Sequence, residues 1–204
     1  MRFRVVWTGV VVLALIGIAA GILRLVILAR GPGSGPNPAV NSGFAAHPAL
    51  TVIHIIPGLL FMVLAPLQFV AGIRARRPRL HRWIGRTVLA LALVIGISAM
   101  VMSFRMAIGG INEMAATVLF DALFLFCLVR GYAAARRRDF THHREWMIRM
   151  FGIGLGIATT RPVMGAFFAT ARLTHLTPHD FFGTAFWIGF TTTAVAAEGW
   201  IHAR

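Results

Sequence analysis

The residues able to do chemistry in this 204-residue chain are few, and several lie where an ionised group is costly. His54, Gln68, Arg105, Asp121 and Arg161 fall within long apolar stretches, while His81, Arg82, His143, Arg144 and Glu198 gather at the margins of others. An ionisable side chain at the centre of a membrane helix costs about 2.5 to 3.5 kcal/mol on insertion scales, so each needs a partner or a use. Asp121 and Arg161 carry opposite charges, and a pair between them would neutralise both and pin two helices together. Glu198 could accept from Arg82, Arg144 or Arg149 in the same way. The histidines admit redox chemistry, because haem iron takes an axial histidine. His81 and His143 occupy matching positions ahead of two helices, whereas His54 has only His47, His175 and His179 on its own side, in loops or at helix ends. His142 and His143 with Glu145 are metal-binding residue types, but their adjacent spacing is not that of H-E-x-x-H or another zinc motif. Met100, Met102 and Met106 could suggest copper, yet apolar neighbours make them ordinary packing residues.

The elements that must position these groups are membrane helices. The chain is 58% hydrophobic and 13% charged, against an apolar share of about 45 to 50% in soluble domains. A net charge of +14 raises nucleic acid, but that reading needs a basic soluble face, and the arginines here cluster between apolar spans. Nucleic acid is therefore excluded as a partner. Cys127 is the single cysteine and lies in an apolar span, so no internal disulfide or cysteine metal cluster can form.

Six segments have the roughly 20 residues needed to cross a ~30 Å hydrocarbon core: 5–28, 49–73, 87–108, 114–134, 150–171 and 181–201. The expected fold is all-α, a single transmembrane domain over residues 1–204. The first segment is too long for a signal-peptide core and is read as an uncleaved helix. Gly17 with Gly21, and Gly152 with Gly156, are small-xxx-small pairs that let a neighbouring helix approach closely. Arg24 stands near the outer end of its helix and could snorkel. In the second segment Pro57 and Pro66 should kink the helix, and His54 and Gln68 fall near one face that should look into the bundle. Residues 31–48, rich in Gly, Pro, Asn and Ser, read as a surface loop.

Between the segments lie two basic hinges, Arg74 to Arg86 and Arg136 to Arg149. With the N-terminal arginines they fall on one side of six alternating spans, and the positive-inside rule makes that side cytoplasmic, with both termini there. Spans of helical length point to a bacterial inner membrane and not to an outer-membrane barrel. Each hinge places His-Arg ahead of a helix and a tryptophan close behind, in Leu80-His81-Arg82-Trp83-Ile84-Gly85-Arg86 and His142-His143-Arg144-Glu145-Trp146-Met147-Ile148-Arg149. A repeated helical hairpin and convergence on a good interfacial anchor both account for this.

These motifs carry a resemblance. His54, Pro66-Leu67-Gln68-Phe69, Arg79 to Arg86, His143 to Arg149, Arg161 and Glu198-Gly199-Trp200-Ile201 together resemble the bacterial membrane proteins grouped as domain of unknown function family 2306, from about Pro48 onward. The resemblance implies a multi-helix membrane protein and carries no catalytic role. Three function classes remain open. A polar intramembrane core could bind a small ligand or lipid, or the chain could be a scaffold whose basic hinges hold anionic lipid headgroups or a membrane-protein partner. The same core could line a proton-coupled transport path. The histidines could bind haem b or serve quinone-linked redox work. Without a strong cofactor motif, ligand binding or scaffolding ranks first.

Overall fold

The computed structural model describes residues 2–31, 34, 35 and 37–203. Eight helices follow one another among them: α1 Arg2–Arg30, α2 Pro38–Ala46, α3 Pro48–Leu67, α4 Ala71–Arg76, α5 Pro78–Met106, α6 Gly110–Arg136, α7 Phe140–Thr174 and α8 Pro178–His202. Proline opens α2, α3, α5 and α8. At a helix's first position its missing N–H would be unpaired in any case. Five helices are long and apolar enough to cross a membrane: Arg4–Arg30, Pro48–Leu67, Pro78–Met106, Gly110–Arg136 and Phe140–Thr174. Their outward faces carry large apolar side chains such as Leu15, Val63, Ile97, Phe104 and Val129, each at least half exposed, as lipid requires.

Several boundaries differ from the sequence expectation, for physical reasons. Residues 31–48 do not form one loop, because Asn37 accepts the Val40 N–H with its side chain and starts α2. The second apolar segment ends at Leu67 and not at Ile73. Pro66 cannot donate within the helix, and Gln68, Phe69 and Val70 close the end with i−3 bonds to Ala65, Pro66 and Leu67. Pro57, by contrast, sits within continuous helix. The basic hinges are largely helical, since arginine is a good helix former. Arg79 to Arg86 form the first turns of α5, and His142 to Arg149 the first turns of α7, capped by Asp139 accepting the His142 N–H at 3.1 Å. At 35 residues, α7 spans about 52 Å, well beyond the hydrocarbon thickness.

Close approach of small residues sets the bundle. A Cβ added at Gly21 would meet Leu59 Cδ2 at 2.8 Å, which brings α1 onto α3. On α7, Gly152, Gly156 and Thr160 face Ala197, Phe190 and Gly189 of α8. The α8 side of this seam recurs every fourth residue as buried Phe181, Ala185, Gly189, Thr193 and Ala197, a row the glycine pair on α7 alone does not reveal. Phe61, Phe124 and Phe151 meet edge-on or tilted at 6.1 Å in the central core. A second cluster joins Val40 of α2 to Met164, Phe181 and Phe182, so α2 lies across one end of the bundle. That end, carrying the α5–α6 and α7–α8 turns, is the far end below; the arginine-rich end is the basic end.

Candidate functional site

A cavity of about 390 Å³ opens within the bundle towards the far end. It is within the range of small-molecule sites, about 300 to 1,000 Å³. Its walls come from α1, α3, α5, α6, α7 and α8, with Phe44 of α2 closing part of the top. Most of the lining is apolar, but Arg24, His54, Glu113, Asp121 and Arg161 all reach it.

Arg161 is half-buried on the cavity wall. It lies inside the bundle within electrostatic range of Glu113, and its only hydrogen-bond acceptor among the described residues is the Met164 thioether at 3.9 Å. The expected Asp121–Arg161 ion pair is not formed among the described residues. The register of α7 explains this. Phe181 packs on Phe167 and Phe168 while Gly183 lies against Gly109 and Asn112, so α7 overshoots the α5–α6 turn and brings Arg161 level with the start of α6. Glu113, three residues into α6, is the acid at that height. Its Oε2 accepts the Gly109 N–H at 2.6 Å. Glu113 stands at the edge of its apolar run and reads in the sequence as a boundary residue, so it is not among the expected site residues.

Arg24 does not simply snorkel. Its guanidinium donates to Asn41 Oδ1 and covers the Phe44 ring at 4.0 Å, and Asn41 Nδ2 donates to the Ser34 carbonyl at 2.8 Å. The short helix α2 thus returns to the top of α1 and holds Arg24 at the cavity, in electrostatic range of Arg161.

His54 Nδ1 is 2.9 Å from Ser98 Oγ, linking α3 to α5. The Ser98 hydroxyl has the Val94 carbonyl at 2.7 Å as its acceptor, so the ring N–H is the donor to Ser98 and Nε2 of the neutral ring carries the lone pair. Asp121 Oδ2 is buried without a hydrogen-bond partner among the described residues. Arg105 is exposed in the last turn of α5 and lies outside the cavity lining.

Gln68 belongs to the opposite end. It stands 14 residues beyond His54, about 21 Å along the helix, with Oε1 against Gly85 of α5. The two share a direction around the helix but not a depth. At the basic end, His143 Nδ1 donates to the Gly131 carbonyl at 2.9 Å, which joins α7 to α6. His81 lies in electrostatic range of His143, and both His81 Nδ1 and Gln68 Nε2 are buried without partners. Glu198 selects Arg149 among the three arginines open to it, accepting from Nε at 2.6 Å and Nη2 at 3.0 Å. Arg149 also lies 3.7 Å from Glu145 and over the Trp146 ring. Arg82 is exposed and Arg144 half-buried, and neither is in an ion pair among the described residues. No group of three His, Cys, Asp or Glu side chains among those residues is placed to hold a metal ion.

No curated protein and no solved structure matches the chain. Residues 51–201 match the model of a family described as predicted membrane protein, a stretch that takes in α3 from Thr51 through almost all of α8 and so most of the cavity wall. With five spans, an apolar outer surface and that match over most of its length, the chain is an integral membrane protein of the DUF2306 family.

Proposed function

We propose that this chain is a bacterial inner-membrane protein that holds a small ligand within its bundle, in the cavity between His54, Glu113, Asp121 and Arg161. The observation that carries the reading is the cavity itself: an apolar chamber reached by five ionisable side chains, the composition typical of a ligand site. A bundle that needed those groups only for cohesion would pair them with one another, as Arg149 and Glu198 are paired. A role as scaffold for a membrane partner requires no such space.

In this reading the chain is one domain with six spans. The sixth is α8, whose 25 residues reach about 37 Å. Its threonines depress its hydropathy, but Thr192 and Thr193 return their hydroxyls to the Ile188 and Gly189 carbonyls, which removes much of their cost in lipid. Six spans put both termini on the arginine-rich side, and the positive-inside rule makes it cytoplasmic. There the first turns of α5, with Trp83 70% exposed, suit anionic lipid headgroups.

Filling the cavity tests the reading. Gly58 lines it, and a Cβ there meets nothing within 4 Å, so a side chain can start from this position and Gly58→Phe should occupy part of the space. The full chain in neutral detergent, titrated with palmitate and with hexadecanol and followed by native mass spectrometry, should take up one molecule of at least one of them. Gly58→Phe should abolish that uptake at an unchanged melting temperature. Failure of both probes to bind the wild type saturably would refute the reading.

A second reading rests on the basic end. His143 uses Nδ1 on a carbonyl, leaving Nε2 as an acceptor, and His81 beside it has a buried, unpartnered ring nitrogen. Such a pair could ligate haem b. An absorption spectrum of the purified protein, oxidised and dithionite-reduced, decides it: a Soret band lost in His81→Ala and His143→Ala supports haem, and a colourless folded preparation reconstituted with haemin without spectral change rejects it.

A further inference from the structure

We infer that the head of the cavity's ligand is an oxyanion, a carboxylate or a phosphate, received by Arg161 and Arg24, with an apolar tail lying against the aromatic and methionine wall. The inference rests on the cavity reading above and adds the chemical class of the ligand.

The far end of the cavity has unfilled donors and unbalanced charge. A guanidinium presents five N–H donors and is always charged. Arg161 uses them on one distant thioether sulfur. Its acid, Glu113, is in electrostatic range but makes no ion-pair contact with it, and one Glu113 oxygen is already engaged by the Gly109 N–H. Arg24, the second cation, spends part of its fork on Asn41 and its face on Phe44. The far end of the cavity therefore holds two guanidiniums against one carboxylate. Asp121 does not redress this, since it lies eight residues deeper on α6, about 12 Å along the helix axis.

Two like charges within electrostatic range of each other in a poorly solvated space repel. An oxyanion between them removes the repulsion and supplies acceptors in the planar geometry that arginine matches. A zwitterionic or neutral head would leave the excess charge uncompensated, and a cation would add to it. Below the arginines the wall turns apolar through Ile157, Phe186, Phe120 and Met62, where a hydrocarbon tail gains burial that a free inorganic anion cannot. Head and tail together specify an anionic amphiphile.

The test titrates the full chain in dodecyl maltoside with palmitate, hexadecanol and lysophosphatidate, reading stoichiometry and affinity by native mass spectrometry. The expected result is one anionic molecule per chain, bound about 10- to 100-fold more tightly than hexadecanol, with the better of the two anions identifying carboxylate or phosphate. Arg161→Gln should erase most of that preference while hexadecanol binding persists, Arg161→Lys should keep part of it, and Arg24→Gln should reduce it less. Equal binding of hexadecanol and the anions would overturn the oxyanion while leaving the cavity reading intact. Binding of none would overturn both. Preference retained in a folded Arg161→Gln would remove Arg161 as the receptor. Should that variant not fold, the wild-type comparison of palmitate with hexadecanol still decides the head group, and Arg24→Gln tests the arginine contribution.

Discussion

The same substitution at two points of one helix should have opposite effects. Replacing glycine by alanine in a helix gains about 0.8 to 1.0 kcal/mol of intrinsic propensity wherever it is made, so Gly156→Ala and Gly165→Ala, both on α7, share that term and differ only in what the new methyl meets. At Gly165 nothing lies within 4 Å. At Gly156 the Cβ would stand 2.9 Å from Phe190 Cα, and nearer still to the ring, whereas packed carbons rest at about 3.5 to 4.0 Å. A side chain could rotate away, but a backbone carbon cannot, so α8 must retreat from α7 along a seam that also holds Gly152 against Ala197 and Thr160 against Gly189. Overpacking of this kind costs about 1 to 3 kcal/mol, and that is the expected gap between the variants. For a chain of this length it corresponds to roughly 2 to 12 °C in melting temperature. The protein supplies its own reporter: Cys127 is its single cysteine and is buried, so a thiol-reactive dye fluoresces only as the bundle opens. Gly165→Ala should melt at or above the wild type and Gly156→Ala below it. Shifts of the same sign and size would refute the close approach of α8 and, with it, the seam that builds the cavity's far wall.

Three other perturbations test separate parts of the structure. A double-mutant cycle on Arg149→Ala and Glu198→Ala should give a coupling of about 1 kcal/mol, near the top of the range for exposed pairs, because two well-placed bonds join a side chain only 20% exposed to one 44% exposed; additive losses would show that the bidentate contact is not made. Asp139, capping α7, is held below the usual carboxylate range, first by the His142 backbone N–H. Its cap is therefore present in full above the unfolded-state value of about 3.9 and is lost as pH falls through the lower folded value, so amide exchange in the first turn of α7 should quicken only below about pH 4, and quickening nearer neutrality would contradict the cap. Six spans require reporters fused to the two ends to respond on the same side of the membrane, and a C-terminal reporter active on the opposite side from an N-terminal one would leave α8 outside the bilayer.

What could be read from the sequence divides along physical lines. Hydropathy marks apolar runs, and five of the six expected spans coincide with helices long and apolar enough to cross a membrane. It does not mark where a helix ends, so the arginines ahead of Val88 and Met150 read as hinges although they continue α5 and α7 into water. Helical periodicity gives a direction around an axis and not a height. It therefore grouped His54 with Gln68, which the structure separates to opposite ends. Height depends on how far one helix outreaches the next, and the overshoot of α7 past the Gly109–Asn112 turn is what exchanged Asp121 for Glu113 beside Arg161. The contact of Arg24 with Asn41 depends on a nine-residue helix within a stretch of loop composition, where side-chain capping by Asn37 outweighs the glycines and prolines around it. The local chemistry of close packing was readable in Gly152 and Gly156, and so was the set of arginines from which Glu198 takes Arg149.

The polar groups inside this bundle fall into two kinds, and the difference bears on function. Thr160, Ser103 and Thr193 each return a hydroxyl to a carbonyl of their own helix, so their hydrogen-bonding capacity is largely spent and they serve as small, adaptable packing surfaces. Arg161 and Asp121 are different. Arg161 has one weak acceptor and Asp121 an oxygen without a partner. Leaving a buried polar group unsatisfied costs about 1 to 3 kcal/mol, and more where it is charged. A bundle that had no use for these groups would be more stable with leucine or methionine in their place. Arg161 and Asp121 both line one 390 Å³ space, and a ligand entering it would supply the partners they lack, which is why that cavity is where a ligand should first be sought.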